Sequence, residues 1–208
     1  MATDASPHGI GCCQSVWDLS DVGLHGRQHE KWRYRTEGAI WARQSALGTE
    51  PLKSAPMFAH SSPEEAESAA RSFDETSPAL LEPVKWRVAH GRLSESTKHI
   101  TKLEGDAFAW GLCHSFRAGG GAGKRCRFLL DNMAVTLSIG KGRSSSPLLQ
   151  HTLAMVAAFS LATGSVVTGR WIPSELNIAD GLSRGRPIGG CEKTGHRPKP
   201  SLEIKTIP

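Results

Sequence analysis

The stretch CRFLLDN at residues 126–132 joins a short apolar run to an acid and an amide. A run of this length is typical of a buried strand, and the polar pair Asp131–Asn132 marks the point where the strand stops. On both sides of this stretch the spacing of apolar residues becomes helical. Leu103, Ala107 and Trp110, for example, fall at steps of three and four residues. The stretch therefore predicts one strand of an α/β sheet on which helices pack.

The remaining chain supplies further elements of the same kind. Strands are predicted at residues 9–17, 84–93 and 165–173, the second from the alternation of Val84, Trp86 and Val88. A helix is predicted from residue 101 to the glycine run at 119–123, and a short one at residues 177–184. The clearest helix covers residues 144–164, because serines precede it, Pro147 lies in its first turn and Gly164 follows it.

Composition limits the classes of protein that remain. The 208 residues are 38% hydrophobic and carry 25 Lys and Arg against 20 Asp and Glu, a net charge of +5 that permits a polyanionic partner. No apolar run approaches the roughly 18 residues of a membrane span, and the N-terminus lacks a signal-peptide pattern. The five cysteines form no CxxC pair, which favours reduced thiols over a metal site or disulfides. We expect a soluble intracellular protein without a membrane partner, in the nucleus or the cytoplasm.

Charge divides the chain into parts. Residues 61–82 hold six acids against one base, among Ser, Pro and Ala. Residues 18–83 as a whole show little apolar periodicity, and they are interpreted as a poorly ordered insertion with one helix at 63–73. Residues 186–208 are rich in Pro, Gly and basic residues and predict an extended tail. The domain proper is therefore predicted at residues 1–17 and 84–185.

Four acids occupy notable places in this pattern: Asp4 in TDAS, on a first strand that would precede residue 9, Glu104 on the first helix, Asp131 at a strand end and Asp180 in the last helix. Each alone has an ordinary explanation, respectively a chain terminus, a solvated helix face, a turn and a favourable charge at a helix start. Together they form the set that a two-metal phosphodiesterase needs, because Mg²⁺ prefers carboxylate oxygens.

The phrases that carry these acids resemble a known family. Four stretches are similar to phrases of the ribonuclease H domain attached to retroelement reverse transcriptases. They are TDAS at residues 3–6, ITKLE at 100–104, LLDN at 129–132 and WIPSELNIADGLSR at 171–184. The resemblance covers residues 1–17 and 84–185. It implies a ribonuclease H-like mixed five-stranded sheet flanked by helices, and hydrolysis of the RNA strand of RNA–DNA hybrids. It further implies two Mg²⁺ ions, or Mn²⁺ in their place, and a reverse transcriptase polymerase domain as a partner.

Roles for the acids follow from the same resemblance. It implies that Asp4, Glu104, Asp131 and Asp180 are both the catalytic and the metal-binding residues. Asp4 and Asp131 would flank both ions, Glu104 would serve the ion at the leaving group, and Asp180 would serve the ion that holds the nucleophilic water.

A basic stretch follows the third acid. Between residues 124 and 143 the only acid is Asp131, whereas five residues are basic: Lys124, Arg125, Arg127, Lys141 and Arg143. KGRSSS at residues 141–146 would present cations, hydroxyls and a helix N-terminus to a phosphate backbone. Its other interpretation is a solvated loop with a serine cap. The candidate substrate-binding residues are Asn132, Lys141, Arg143, Ser144 and Ser145.

Two other functions stay open. Only three residues precede Asp4, which predicts a truncated first strand, and no His lies between Trp171 and Asp180. Both features favour a catalytically inactive or domesticated nucleic-acid-binding remnant of a retroelement. A tethering domain that contacts a polymerase and binds no nucleic acid is the other alternative. The run AGGGAGKR at residues 118–125 does not fit a phosphate-binding loop, because Ala118 and Arg125 break the pattern at both ends.

Overall fold

Five strands form a mixed sheet in the computed structural model, which describes residues 1–27, 30, 43–44, 46–48, 75–93, 95–117 and 122–188. The strands are β1 (Ala2–Ser6), β2 (Gly9–Gln14), β3 (Arg87–Leu93), β4 (Arg125–Leu130) and β5 (Val166–Trp171), and their order in the sheet is β3-β2-β1-β4-β5. β1, β2 and β3 are antiparallel neighbours, whereas β4 runs parallel to both β1 and β5.

Helices lie on the sheet. They are α1 (Leu19–Arg27), α2 (Ile100–Ser115), α3 (Met133–Lys141), α4 (Gln150–Thr163) and α5 (Asp180–Ser183). These elements confirm the predicted α/β architecture, a mixed five-stranded sheet flanked by helices. None of the helices in the described ranges is both long enough and apolar enough to cross a membrane.

The register of the central strands sets the position of the acids. Ala2 of β1 lies beside Leu129 of β4 in the parallel pair. The amide of Leu129 donates a hydrogen bond to the carbonyl of Met1 at 2.8 Å, and the Met1 amino group donates to the carbonyl of Arg127 at 2.9 Å. Two residues further along each strand stand Asp4 and Asp131. Because parallel strands advance together, the two acids lie side by side at the same end of the pair.

Apolar side chains fill both faces of the sheet. On one face Phe108 and Leu112 of α2 pack with Phe128 and Leu130 of β4. On the other face Leu129 packs in a cluster whose other buried members are Ala2, Cys13, Leu81, Trp86, Ile172, Ala179 and Ile188. Successive residues of a strand point to opposite faces, so Phe128 and Leu130 pack on one face of the sheet and Leu129 packs on the other.

The structure corrects several predicted boundaries. The strand at 84–93 begins only at Arg87, since a 3₁₀ turn occupies Pro83–Lys85. The helix predicted at 144–164 begins at Gln150, after a 3₁₀ turn at Pro147–Leu149. The last helix is Asp180–Ser183 rather than 177–184, because Asn177 is extended and a 3₁₀ turn precedes it at Ser174–Leu176.

Sequence patterns missed α3 entirely. Its nine residues include Val135, Thr136 and Ile139, which are β-branched and weak helix formers. The helix is nevertheless well bounded, because Asn132 caps its start and Gly142 ends it with a φ of 65°. Packing of Val135 and Ile139 in the core then compensates for low propensity.

The stretch predicted as a poorly ordered insertion contains regular structure where it is described. α1 begins at Leu19, Glu30 is buried, and Leu81 belongs to the core. The helix predicted at residues 63–73 lies outside the described residues. The tail predicted from residue 186 is described only to Ile188, which is buried. The domain limits at residues 17, 83 and 185 stay a prediction.

Candidate metal centre

Three of the four predicted acids converge at one end of the central strands. Asp4 comes from β1, Glu104 from α2, and Asp131 directly follows β4. One carboxylate oxygen from each lies within 4.8 Å of the other two. Residues 127 positions apart in the chain thus form one compact oxygen cluster, which we call the acidic triad.

Asp4 is held by the segment around α5. It is buried at the middle of β1, and the Ser183 hydroxyl donates a hydrogen bond to its Oδ2. The side-chain nitrogen Nδ2 of Asn177 donates to Asp4 Oδ1 at 3.4 Å and to the carbonyl of Thr3 at 3.1 Å. Both oxygens of Asp4 are therefore oriented before any ligand binds.

Gly11 makes this contact with α5 possible. It is the direct partner of Asp4 in the β1–β2 register. A Cβ at this position would lie 2.6 Å from the carbonyl oxygen of Ala179 and 2.9 Å from the amide of Ser183, closer than atoms can approach. The absence of a side chain allows α5 to approach the sheet closely, which brings Ser183 to Asp4.

Glu104 enters the triad from the opposite layer. Its side chain is buried on α2, and its Oε1 accepts a hydrogen bond from the amide of Ala5 at 3.3 Å. Its Oε2 is buried and has no hydrogen-bond partner. A buried carboxylate oxygen without a partner is costly, so this atom is free for a ligand.

Electrostatics of the triad favour a cation. Burial, followed by the charge of Asp131, raises the pKa of Asp4 to about 7. Burial, followed by the charge of Asp4, raises the pKa of Glu104 to about 9. Like charges in a desolvated cluster disfavour ionisation, and a divalent cation among them reverses that effect. An all-oxygen donor set with one unpartnered buried oxygen fits Mg²⁺ or Mn²⁺.

Asp180 does not belong to the acidic triad. Arg184 Nε donates to its Oδ1 at 2.9 Å, and Arg186 Nη2 donates to its Oδ2 at 3.0 Å. Its charge nevertheless contributes to the raised pKa of both Asp4 and Glu104, so it lies at the edge of the same centre. The structure gathers three of the four predicted acids, and the fourth is neutralised by two arginines.

The candidate substrate-binding residues are divided between two roles. Asn132 caps α3, since its Oδ1 accepts from the amide of Val135 at 3.2 Å. The other four line a groove of about 540 Å³ between α2, α3 and the α3–α4 connection, namely Lys141, Arg143, Ser144 and Ser145. Thr101, one turn before Glu104, lines the same groove, which therefore extends from the neighbourhood of the triad.

The phrase KGRSSS differs from its predicted local structure. It was expected to present a helix N-terminus, but Lys141 ends α3 and α4 begins only at Gln150. The Ser144 hydroxyl accepts from the amide of Ser146 at 3.1 Å, which makes a local turn. Pro147 then opens a 3₁₀ turn, Pro147–Leu149, which leads into α4.

Sequence analysis assigned no role to Gly11, Asn177 or Ser183. A signal existed for the glycine, because Gly9 and Gly11 alternate on one strand face, a pattern that marks close approach of another backbone. Ser183 follows Asp180 by three residues, so the two share a helix face. Nothing local in the sequence indicates that Asn177 bonds to β1.

Comparison with known proteins gives one similar structure. No protein-family model matches the chain, and no curated protein matches it. Among solved structures, the N-terminal RNase H domain of rv2228c from Mycobacterium tuberculosis, determined as a fusion with maltose-binding protein, is similar to this chain. The two are 16% identical with a TM-score of 0.40, and the similarity covers 48% of this chain and 76% of that one.

Proposed function

We propose that this protein is a metal-dependent endonuclease that hydrolyses the RNA strand of RNA–DNA hybrids. The observation that carries the proposal is the acidic triad, in which three carboxylates meet and Glu104 keeps a buried oxygen without a partner. Carboxylates clustered in this way are suited to binding divalent ions that assist phosphodiester hydrolysis.

Asp4, Glu104 and Asp131 would hold Mg²⁺ or Mn²⁺. When bound, such ions neutralise charge on the scissile phosphate and lower the pKa of a bound water. The protein supplies orientation: Ser183 and Asn177 fix Asp4, and the Ala5 amide fixes one oxygen of Glu104. Preorganised carboxylates need little rearrangement on binding, which is the main contribution of a protein to this chemistry.

Asp180 would complete a second ion site. Arg184 and Arg186 occupy its two oxygens, and side-chain rotation of either exposed arginine releases one of them. Exposed ion pairs of this kind contribute about 0–1 kcal/mol, so their release is a small cost against metal binding. An arginine released from Asp180 would be available to bind a phosphate of the substrate.

The groove beside the triad would bind the substrate backbone. Lys141 and Arg143 contribute cations, and Ser144 and Ser145 contribute hydroxyls. Contacts with phosphates and sugars carry no base information. Recognition of the hybrid through its shape and its 2′-hydroxyl groups would give cleavage with little sequence preference.

The context we propose is a retroelement reverse transcriptase. Its support is the phrase WIPSELNIADGLSR, which provides Asp180 together with Asn177 and Ser183, the two residues that bond to Asp4. In that context a polymerase domain is the expected partner, and it would deliver the hybrid to the groove.

The competing function is nucleic-acid binding without cleavage. The ion pairs of Asp180 favour it, because they remove one of four carboxylates from the centre. In that case the basic groove would bind a hybrid, and the triad would not support turnover.

The test is cleavage of an end-labelled RNA–DNA hybrid by the purified chain in Mg²⁺ or Mn²⁺, with duplex DNA as the comparison substrate. We expect cuts in the RNA strand alone, leaving a 3′-hydroxyl and a 5′-phosphate. Asp131→Asn should abolish them, because the amide keeps the shape and removes the charge. Asp106→Asn is the matched control, since Asp106 pairs with Lys102 on α2 outside the triad.

The outcomes separate the two functions. Cuts that persist in Asp131→Asn contradict the proposed site. Salt-sensitive hybrid binding by a folded chain that makes no cuts identifies the binding remnant, since phosphate contacts weaken steeply with salt.

A further inference from the structure

A buried arginine lies at the other end of β4 from the acidic triad. Arg127 is 7% exposed, and its Nη1 donates to the carbonyl of Gly169 at 3.4 Å. Its Nε and Nη2 are also buried, and neither has a hydrogen-bond partner. Arg127 stands four residues before Asp131, which is about 13 Å along an extended strand. Two donors of a charged group are thus left without an acceptor, far from the metal centre.

No carboxylate forms an ion pair with Arg127 in the part of the chain that the structure describes. Glu30 is a buried carboxylate whose charge acts on Arg127; its Oε1 forms an ion pair with Arg170 Nε at 3.2 Å and accepts a hydrogen bond from the amide of Trp171 at 3.0 Å. Burial, followed by the charge of Arg170, lowers the pKa of Arg127 to about 10. The charge of Glu30 thus acts on two buried guanidinium groups, those of Arg127 and Arg170. A buried charge without a counter-charge is rare because its desolvation is expensive.

Arg127 lines a cavity of about 330 Å³ beneath α1. Lys124 and Arg125, both exposed, line the same cavity, and no Asp or Glu does so among the described residues. Ser15 and Ser115 contribute hydroxyls to its wall. Among the described residues, three cationic side chains and two hydroxyls line this cavity and no acid does, which suits an anion of more than one charge.

The chemistry favours phosphate over carboxylate. A guanidinium group presents two parallel donors, which match two oxygens of either group. Three cations, however, balance a phosphate dianion better than a single carboxylate charge. Trp17 and Leu129 add an apolar wall, and the cavity is as large as small-molecule sites are, larger than one inorganic phosphate requires.

We propose that this cavity binds a phosphate monoester, with Arg127 as its principal ligand. Arg127 Nε and Nη2 would donate to two phosphate oxygens, Lys124 and Arg125 would neutralise the remaining charge, and Trp17 would contact the organic group. The site is independent of the proposed nuclease activity, since none of its residues belongs to the triad or to the groove.

The test is isothermal titration of the full chain with inorganic phosphate and with adenosine 5′-monophosphate. EDTA in the buffer excludes any contribution from metal bound at the triad. We expect saturable binding at one site and at least a tenfold loss of affinity in Arg127→Met. Arg92→Gln, which removes an exposed cation from β3, is the charge control and should change the affinity by less than about twofold.

Thermal melting supplies a readout that separates ligand loss from misfolding. Without phosphate, Arg127→Met should melt at or above the wild-type temperature, because an apolar side chain of similar size replaces an uncompensated charge. With phosphate at ten times its dissociation constant, the wild-type melting temperature should rise by roughly 3–6 °C and that of the variant should not.

Each outcome bears on the proposal. Tighter binding of the nucleotide than of phosphate supports a nucleotide site, and equal binding supports a site for the phosphate group itself. Absence of saturable binding of both probes overturns the proposal. Equal affinity of Arg127→Met and the wild type also overturns it, as does a variant that unfolds in phosphate-free buffer.

Discussion

The two ends of the β1–β4 strand pair differ in the sign of their uncompensated charge. At one end Asp4, Glu104 and Asp131 bring carboxylates together, and at the other Arg127 lines a cavity with Lys124 and Arg125. Each end leaves a buried polar atom without a partner, Glu104 Oε2 in the first case and Arg127 Nε in the second. Each end is therefore complementary to a ligand of opposite charge.

The difference lies in how the two ends are built. The acidic triad draws its residues from two strands and a helix, and a second helix segment orients Asp4. The basic cavity takes its three cationic side chains from residues 124–127, directly before and at the start of β4, while Ser15, Trp17 and Ser115 from other segments complete its wall. A charge cluster assembled from several elements depends on their packing, whereas cations carried by one segment depend mainly on that segment. The acidic end should consequently be more sensitive to distant substitutions.

The largest expected effect is the loss of hybrid cleavage when an acid at the acidic end is replaced, and it should differ between Asp131 and Asp180. Asp131→Asn should reduce hybrid cleavage by at least about 10²-fold, since Asp131 belongs to the triad. Asp180→Asn should reduce it less, because Arg184 and Arg186 already neutralise Asp180. Cleavage rates under single-turnover conditions measure both variants. Equal losses would show that Asp180 is a full member of the centre, and phosphate binding at Arg127 should be unchanged in both.

The next effect concerns pH and metal. The folded pKa values of Asp4 and Glu104, about 7 and about 9, lie above their ordinary values of 3.8 and 4.5. For an acid with a raised folded pKa, the stability contributed by the neutral form is present below the ordinary pKa and is lost as pH rises through the folded pKa. In EDTA, the free energy of unfolding should therefore fall between about pH 4 and pH 9, by a few kcal/mol.

Divalent ions should reverse that loss. Mg²⁺ binds the ionised carboxylates, so it should raise the melting temperature more at pH 8.5 than at pH 5. Thermal melting across this range, with and without Mg²⁺, measures the effect, and Glu104→Gln should weaken both the pH dependence and the response to Mg²⁺. If Mg²⁺ raised the melting temperature equally at both pH values, its binding site would not be the acidic triad.

The smallest effect probes the packing behind the acidic end. Gly11→Ala should destabilise the fold by about 1–3 kcal/mol, because its Cβ would collide with the Ala179 carbonyl and Leu182. It should also reduce cleavage by displacing Ser183 from Asp4. Gly91→Ala is the matched control: Gly91 is the direct partner of Gly11 on β3, and a Cβ there would meet nothing within 4 Å.

Chemical denaturation measures both glycine variants. The Gly91 variant should stay within about 0.5 kcal/mol of the wild type. If the two variants were equally stable, α5 would not be held against β2 as described. If Gly11→Ala still bound phosphate at the Arg127 cavity with wild-type affinity, the substitution would affect the acidic end and not the basic end.

Much of the fold was predictable because strands and helices carry local signals. The run FLL before Asp131 predicted β4, and the apolar steps after residue 101 predicted α2. α3 was missed because its β-branched residues disfavour a helix in isolation, and burial of Val135 and Ile139 overrides that preference. The start of the last helix was placed too early because Asn177 uses its side chain to bond to β1, which no local pattern encodes.

The candidate site was predictable in its residue types but only in part in its geometry. Asp4, Glu104 and Asp131 were selected for their positions at strand ends and on a helix, and the structure brings their oxygens together. The pair of Arg184 with Asp180 could have been expected, because the two residues are four positions apart in the predicted helix. The pair with Arg186 could not, since Arg186 reaches Asp180 from the turn that follows α5. The cap formed by Asn132 could have been expected from its position before a helix, had that helix been predicted.

The sequence by itself determined the kinds of element, the α/β class and the acid that ends β4, because hydrophobic periodicity and polar stops act over a few residues. Only the tertiary structure decided which charges are compensated. The parallel register sets Asp4 beside Asp131, the close approach of α5 over Gly11 orients Asp4, and Glu30 forms an ion pair with Arg170 while two donors of Arg127 stay without an acceptor. Whether a buried charge has a partner depends on contacts between residues distant in the chain, and those contacts exist only once the sheet and its helices have packed.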